Sequence, residues 1–235
     1  YAGGTAISAG TLQIGDGGTA GSLAGDVLNN AALVFDRSDA YGFSGGLSGA
    51  GTMTFRGGGT VQLGSSGTFS GGTFVEDGTV TLANAALGAS VFTVQTGGVL
   101  AGQGTIGGLV VNSGGIAAPG NSPGTLTVNG DVAFNSGSVY RVDVTAGGAH
   151  DLIGATGAVT LSSGASVAVN AGAAVFLPGT AYAIITTPRT VTGTFGSLTG
   201  DLPSSTYIFL DPGLSYDTHN VYLGLIYNDV AFTTF

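Results

Sequence analysis

The sequence predicts an all-β protein: a parallel β-helix whose short strands form the three faces of a solenoid, closed at its C-terminal end by an antiparallel β cap. Three observations predict it. Strands such as Thr60 to Leu63 and Thr79 to Leu82 are very short and lie between glycines. Strands this short are stable only when they stack on neighbours. No segment has a convincing helical period, and larger apolar residues gather toward the C-terminus. A β-sandwich is the alternative.

Composition and charge narrow the function classes. The chain has 235 residues and 46 glycines, but 43% of its residues are hydrophobic, so it is neither disordered nor collagen-like. A net charge of −9 with four Lys plus Arg argues against nucleic acid and against anionic lipid as partners. No apolar run approaches the roughly 18 residues of a membrane-spanning helix. The lack of cysteine fits either chance or a chain that must stay threadable during export.

An internal repeat marks the body of the solenoid. The G-G-T and G-T elements near the start recur after 68 residues, as Gly3, Gly4, Thr5, Gly10 and Thr11 against Gly71, Gly72, Thr73, Gly78 and Thr79. The second copy is preceded by GGGTVQLGSSGT, which the first copy lacks. We therefore expect the chain to be a fragment that begins within a repeat. Coils of roughly 20 to 25 residues would give about ten coils.

Corners and turns can also be assigned. Asn29-Asn30 is a predicted corner, because Asn tolerates the left-handed backbone of tight turns. Asn129-Gly130, between TLTV and DVAF, is the strongest β-hairpin signal.

The segment from Gly114 to Leu161 divides the chain. In SVYRVDV, Tyr140, Val142 and Val144 alternate with polar residues, which is the period of a strand buried on one face. Leu126 and Val128 alternate in the same way. We predict two parts: residues 1–113 as β-helix coils with the repeats, and residues 114–235 as the last coils and the cap.

Several motifs in this second part carry a family resemblance. They are LAGQGTI at Leu100 to Ile106, PGNSPGTL at Pro119 to Leu126, DLI at Asp151 to Ile153 and the closing YNDVAF at Tyr227 to Phe232. Together they resemble the C-terminal passenger region of bacterial autotransporters of the pertactin-like, type V secretion class. The repeats before them resemble the passenger-associated transport repeat.

The resemblance implies a right-handed parallel β-helix whose end is an autochaperone region. It implies export through the periplasm and outer membrane to the cell surface, C-terminus first, with the outer-membrane β-barrel of the same precursor as partner. The emerging end is then expected to template the remaining coils. We predict a folding core in the cap that consists of Leu126, Val128, Tyr140, Val142, Val144, Leu152 and Phe195. The chain is expected to be monomeric, without cofactor, metal or small-molecule substrate.

Enzyme chemistry has little support in the sequence. The two histidines, His150 and His219, are expected to be solvated turn residues, and Ser138 or Ser215 would be needed for a triad without a nucleophile-elbow motif. Asp16 and Asp26 do not continue a calcium-binding repeat. A β-helical polysaccharide lyase or hydrolase would need clustered Asp and a basic residue in a cleft, which the four arginines do not offer. The chain is therefore predicted to be non-catalytic.

A binding function remains the main alternative. An adhesin surface that contacts host proteins or glycans needs no signature residues. Phenylalanines could form an exposed binding ladder, but their aliphatic neighbours favour stacking inside the coil, for Phe43, Phe55, Phe69, Phe74 and Phe92.

Overall fold

The fold is a β-solenoid with mostly parallel strands, without any helix in the described residues. It was obtained as a computed structural model, which describes residues 3–120, 123–145, 147–171, 179–201 and 210–227. The strands are β1 Thr5–Ile7, β2 Thr11–Ile14, β3 Val27–Asn29, β4 Ala32–Asp36, β5 Ala40–Phe43, β6 Leu47–Ser48, β7 Thr52–Arg56, β8 Thr60–Leu63, β9 Thr73–Val75, β10 Gly78–Val94, β11 Gly98–Val111, β12 Ile116–Pro119, β13 Thr125–Val128, β14 Val132–Phe134, β15 Val139–Asp143, β16 Leu152–Ala155, β17 Val159–Leu161, β18 Ser166–Asn170, β19 Ala181–Thr186, β20 Val191–Gly193, β21 Ser197–Asp201, β22 Leu210–Tyr216 and β23 Asn220–Tyr227.

Three parallel ladders form the faces of the solenoid, and successive strands move from one face to the next. The first face contains β2, β4, β7, β9, the ends of β10 and β11, then β14, β17 and β20. The second contains β5, β8, the starts of β10 and β11, then β12, β15, β18 and β21. The third contains β1, β3, β6, the middles of β10 and β11, then β13, β16 and β19.

The core is a set of stacked side chains inside the coil. In β4 the inward residues are Leu33 and Phe35, and in β7 they are Met53 and Phe55, all at most 1% exposed. Phe35 and Phe55 are register partners, and their rings stack at 5.1 Å with a 4° interplanar angle. Parallel rungs place equivalent residues directly above one another, so one apolar position per strand is enough to build a continuous core.

Glycine is required where neighbouring corners stack. In one corner, Gly114 N–H donates to the carbonyl of Gly137, and Gly137 N–H donates to the carbonyl of Gly164, at 2.9 and 2.8 Å. Gly137 has φ of 79°, and a Cβ there would collide with the hydroxyl oxygen of Ser113. A left-handed backbone and a close approach therefore coincide at this position.

The cap is antiparallel. β23 pairs with β19, the last strand of the third face, and β22 pairs with β23. The turn that joins β22 to β23 docks on the chain between β19 and β20, because the amides of Thr187 and Val191 donate to the carbonyls of His219 and Thr218, both at 2.9 Å. The antiparallel hairpin thus covers the end of a parallel coil.

Two expectations need correction. Among the described residues each face stacks eight or nine strands rather than about ten coils, because the later coils carry longer connections and the C-terminal residues form the hairpin. Asn129-Gly130 is a coil corner and not a hairpin turn, since β13 and β14 lie in different parallel ladders. The two copies of the repeat occupy different faces: Thr5 lies on the third face and Thr73 on the first.

Asn29-Asn30 lies at a corner between β3 and β4, as predicted, but neither residue has the left-handed backbone given as the reason, which among the described non-glycine residues occurs at Asn84. Asn29 is fully buried. Its side-chain nitrogen donates to the carbonyl of Thr52 at 2.8 Å, and its side-chain oxygen accepts from the backbone amide of Ala31 at 3.2 Å. The ladders run from β11 into β12, β13 and β14 across the predicted boundary at residue 113. The division into 1–113 and 114–235 therefore stays a prediction about folding. Residues 228–232 of the YNDVAF motif lie outside the described residues.

Candidate functional site

The predicted folding core of the cap is largely buried. Exposed fractions are at most 6% for Leu126, Val128, Tyr140, Val142, Val144 and Phe195. Leu152 is the correction, because it is partly exposed while its neighbour Ile153 is fully buried. In a strand adjacent side chains point to opposite faces, and D-L-I offers two large apolar residues of which one must face outward. Burial locates these residues, and their role in folding stays a prediction.

Tyr140 lies at the centre of an aromatic cluster. Its ring centroid is 5.5 Å from that of Phe134 and 6.3 Å from that of Phe195, and the rings of Phe134 and Phe195 meet edge to face at 5.2 Å. Phe195 comes from the last coil, and its amide donates to the hydroxyl oxygen of Tyr216 in β22 at 3.1 Å. The cluster therefore connects β14 and β15 with the cap.

The Tyr140 hydroxyl crosses the core to the cap. It donates to the carbonyl of Ile184 in β19 at 2.7 Å. β19 carries a bulge at this point, because its pairing with β23 shifts register between Ala183 and Ile185, and both Ile184 and Ile185 are fully buried. The hydroxyl therefore donates to a main-chain carbonyl at the bulge of β19. Burial, together with the charge of Asp151, raises the pKa of the Tyr140 phenol well above its usual value, so it stays a neutral donor.

Asp151 connects the glycine before β13 with the end of β15. It is 1% exposed, and its carboxylate accepts the amides of Gly124 at 2.8 Å and Asp143 at 2.9 Å. A Cβ at Gly120 would collide with the same carboxylate. Burial raises the pKa of Asp151 to about 6, although both amide hydrogen bonds oppose that shift. The P-G-x-S-P-G and D-L-I motifs thus meet in space, which their separation in sequence did not indicate.

His150 is not the solvated turn residue that the sequence predicted. It is half-buried, and its ring packs against that of Tyr182 at 5.2 Å. Its two nitrogens lie 3.2 Å from the carbonyls of Gly148 and Ala183, rather than at a serine hydroxyl. His219 is exposed in the β22–β23 turn, as expected, where Asp217 accepts its amide at 2.7 Å.

Serines nominated for a triad have other roles. Ser138 is buried and donates to the carbonyl of Asn135 at 2.6 Å, which closes a corner, and Ser215 lies exposed on β22. Asp26 accepts the amide of Gly46 at 2.7 Å, as a corner residue would. Within the described ranges, no group of three or more His, Asp or Glu residues could hold a metal ion.

A second polar cluster lies near the N-terminal end. Arg37 is 5% exposed, pairs with Asp39 at 2.9 Å, donates to the carbonyls of Ala20 and Gly21, and lies 4.9 Å from the ring centroid of Tyr41. The guanidinium thus holds the long connection between β2 and β3 against the coil. This buried arginine has no signal in the sequence.

The phenylalanines stack inside the coil with one exception. Phe43, Phe55, Phe69 and Phe92 are at most 2% exposed, whereas Phe74 points outward from β9. The prediction of an internal stack is therefore wrong for Phe74 alone among the five. Among the described residues there is no helix long and apolar enough to cross a membrane.

Comparisons with known proteins place the chain among secreted bacterial proteins. It is 32% identical over 197 residues to an extracellular serine protease of Serratia marcescens, which is 81% of this chain and 18% of that protein. It is 57% identical over 54 residues to the adhesin BmaC autotransporter of Brucella suis biovar 1 (strain 1330), which is 23% of this chain and 2% of that protein. A second extracellular serine protease of S. marcescens is 29% identical over 202 residues, which is 83% of this chain and 19% of that protein.

No protein-family model matches the chain. The chain spans less than a fifth of the length of each of these relatives. Its described strands form a solenoid of stacked parallel coils that ends under an antiparallel hairpin. Fold and relatives together identify the chain as a β-solenoid of the autotransporter passenger type.

Proposed function

We propose that this chain is the C-terminal part of a secreted autotransporter passenger, a non-catalytic stalk that also seeds folding of the coils before it. One observation carries the proposal. The last parallel coils end under an antiparallel hairpin, and the buried Tyr140 hydroxyl bonds to the cap strand β19 at 2.7 Å. The cap therefore joins the last coils through the core as well as through the backbone ladder.

The order of contacts favours the cap as the seed. A parallel coil must close a loop of about twenty residues before its backbone bonds form, as between β4 and β7, where Leu33 pairs with Met53. The β22–β23 hairpin needs only a short turn, in which Asp217 accepts the amides of His219 and Asn220. Local pairings form faster than distant ones, so the hairpin offers a paired edge early.

The proposed role as an autotransporter passenger also implies where the chain is located and which partner it has. The chain is exported to the cell surface or the extracellular space. Its partner during export is the C-terminal outer-membrane β-barrel of the same precursor. The absence of cysteine and the few charged residues suit a chain that crosses a membrane unfolded. Catalytic activity, as named for the two Serratia relatives, would reside in other parts of such proteins.

Refolding of full-length variants tests the seeding role. Tyr140→Ala removes a fully buried ring in the cap region, and Phe35→Ala removes a fully buried ring in an early coil. Both leave a cavity that costs about 3 to 5 kcal/mol. We expect Tyr140→Ala to slow refolding and lower its yield, whereas Phe35→Ala mainly speeds unfolding. Equal slowing by both, or an N-terminal half that becomes protease-resistant before the C-terminal half, would refute the cap as the seed.

Adhesion by this chain itself is the second candidate, favoured by the match to an adhesin and by outward apolar residues. Phe74 points outward, and Val91 is 45% exposed on the same face. Surface plasmon resonance of the purified chain over immobilised host glycoproteins would test it. Binding that is lost in Phe74→Ser and kept in Thr160→Ser, a change on the same face, would support it. Absence of binding by the folded chain would exclude adhesion as its function.

A further inference from the structure

The imidazole of His150 lies between two hydrogen-bond acceptors that belong to different elements. Nδ1 is 3.2 Å from the carbonyl of Gly148, in the turn before β16, and Nε2 is 3.2 Å from the carbonyl of Ala183, in β19. The ring also packs on Tyr182, the preceding residue of β19. His150 therefore bridges the turn around Gly148 and the strand on which the antiparallel cap is built.

The charge of the ring decides how many of these bonds form. A neutral imidazole carries one N–H, so one of the two carbonyls faces a nitrogen lone pair. The imidazolium carries two N–H groups and donates to both carbonyls, and bonds from a charged donor are the stronger kind. Histidine changes charge in the range of about pH 5 to 8.

We propose that His150 is a proton-operated latch between the turn around Gly148 and β19, bonded to both carbonyls when the ring is charged and to only one of them when it is neutral. In the neutral state β19, and with it β22 and β23, would depend more on backbone pairing and core contacts. Mildly acidic conditions would fasten the cap, and alkaline conditions would loosen it. The geometry of the bridge does not depend on the function proposed above.

The charged and titratable groups around the ring are Asp151, Asp143, Tyr140 and Tyr182. Asp151 follows directly, and burial raises its pKa to about 6, so it is largely protonated at about pH 5.5 and carries its charge at about pH 8. Asp143 on β15 is engaged by the amide of Asn170 at 2.9 Å. Tyr140 on β15 keeps its proton because burial raises its pKa. Tyr182 on β19 contributes the ring against which the imidazole packs. Since Asp151 is itself buried, its proton uptake also stabilises the folded cap at low pH, so a test must separate the two groups.

Hydrogen–deuterium exchange of the full chain provides that test. Protection factors, corrected for the intrinsic rate at each pH, are compared for β19, β22 and β23 at about pH 5.5 and pH 8. We expect about tenfold higher protection of these strands at the lower pH, which is the value of one bond from a charged donor. β4 and β7, far along the solenoid, serve as the internal reference and should not change.

Three variants show which residue causes the pH dependence of protection. His150→Gln keeps a polar side chain that does not titrate and should lose most of the pH dependence. His219→Gln changes the exposed histidine and should keep it, and Asp151→Asn should keep the part that belongs to His150. Unchanged pH dependence in His150→Gln, or equal loosening of β4 and β7, would overturn the proposal.

If His150→Gln fails to fold, a measurement on the native chain still tests the proposal. Nitrogen-15 spectra of the ring should show both nitrogens protonated at about pH 5.5, with slow exchange of the Nε2 proton that faces Ala183. Rapid exchange of both ring protons with water in the folded chain would mean that no latch is closed.

Discussion

The Tyr140 hydroxyl offers the sharpest test of how the cap is held. Tyr140→Phe removes one oxygen and leaves the aromatic cluster with Phe134 and Phe195 in place. The Ile184 carbonyl, which lies at the bulge of β19, would lose this donor in a fully buried environment. An unsatisfied buried acceptor costs about 1 to 3 kcal/mol. For a chain of this size, that corresponds to a fall of roughly 2 to 12 °C in melting temperature.

The control is a hydroxyl in a more open place. The Tyr41 hydroxyl bonds to the amide and carbonyl of Leu23 in a surface connection, at 2.8 and 3.0 Å, where water can replace it. Tyr41→Phe should therefore cost less than Tyr140→Phe. Urea unfolding followed by circular dichroism gives the totals, and hydrogen exchange of β19 gives the local effect. If Tyr140→Phe costs no more than Tyr41→Phe, the proposed link through the core is wrong.

Three further predictions test the corner, the buried acid and the corrected register. Gly137→Ala places a side chain on a backbone with φ of 79° and against the Ser113 hydroxyl, so it should lower the free energy of unfolding by about 1 to 3 kcal/mol. Gly42→Ala, with open space at its Cβ, should be neutral or slightly stabilising. The folded pKa of Asp151 is raised from 3.8 to about 6, so its stabilising contribution is complete below pH 3.8 and is lost as the pH rises through about 6; in urea titrations at several pH values, Asp151→Asn should remove this decline. Ile153→Ala should lower the melting midpoint by the equivalent of about 2 to 5 kcal/mol, and Leu152→Ala by much less, because only Ile153 is fully buried.

Much of the architecture could be predicted from strand length and period. Alternation in SVYRVDV correctly gives Tyr140 and Val142 as inward residues, because a single buried face fixes the side-chain period at two. Alternation fails where both neighbours are apolar, as at Leu152 and Ile153. There the parallel ladder decides, since Ile153 pairs with Leu126 and continues its inward row.

The repeat shows a different limit. Its G-G-T and G-T elements describe a glycine corner followed by a strand, and every face of the coil is built from that unit. Thr5 and Thr73 can therefore match in sequence and yet lie on different faces. A local pattern reports the corner but not the position around the coil, which depends on the length of the intervening connections.

The candidate site depended on contacts that no local pattern contains. Asp151 meets Gly124 across a gap of a whole coil, and Tyr140 meets Ile184 across the core. The carbonyl that Tyr140 contacts lies at a bulge in β19, and nothing in AYAIITT indicates a bulge. Family resemblance pointed to the right segments, but it could not say which atoms join them.

The location of stability can be tested by dividing the chain at the predicted boundary. Residues 114–235 contain the aromatic cluster around Tyr140 and the antiparallel hairpin, so β19 in the last coil is paired on its cap side. Residues 1–113 would end on β11, whose β12, β13 and β14 partners are removed, leaving a row of unpaired backbone groups and an open core. In a solenoid each coil is stabilised mainly by its neighbours, so loss of one end matters most to the coils that fold onto it. We expect the C-terminal fragment to give cooperative unfolding and protected amides by hydrogen exchange, and the N-terminal fragment to fold poorly or aggregate. An N-terminal fragment that folds cooperatively alone, beside a C-terminal fragment that does not, would place the seed at the other end of the chain.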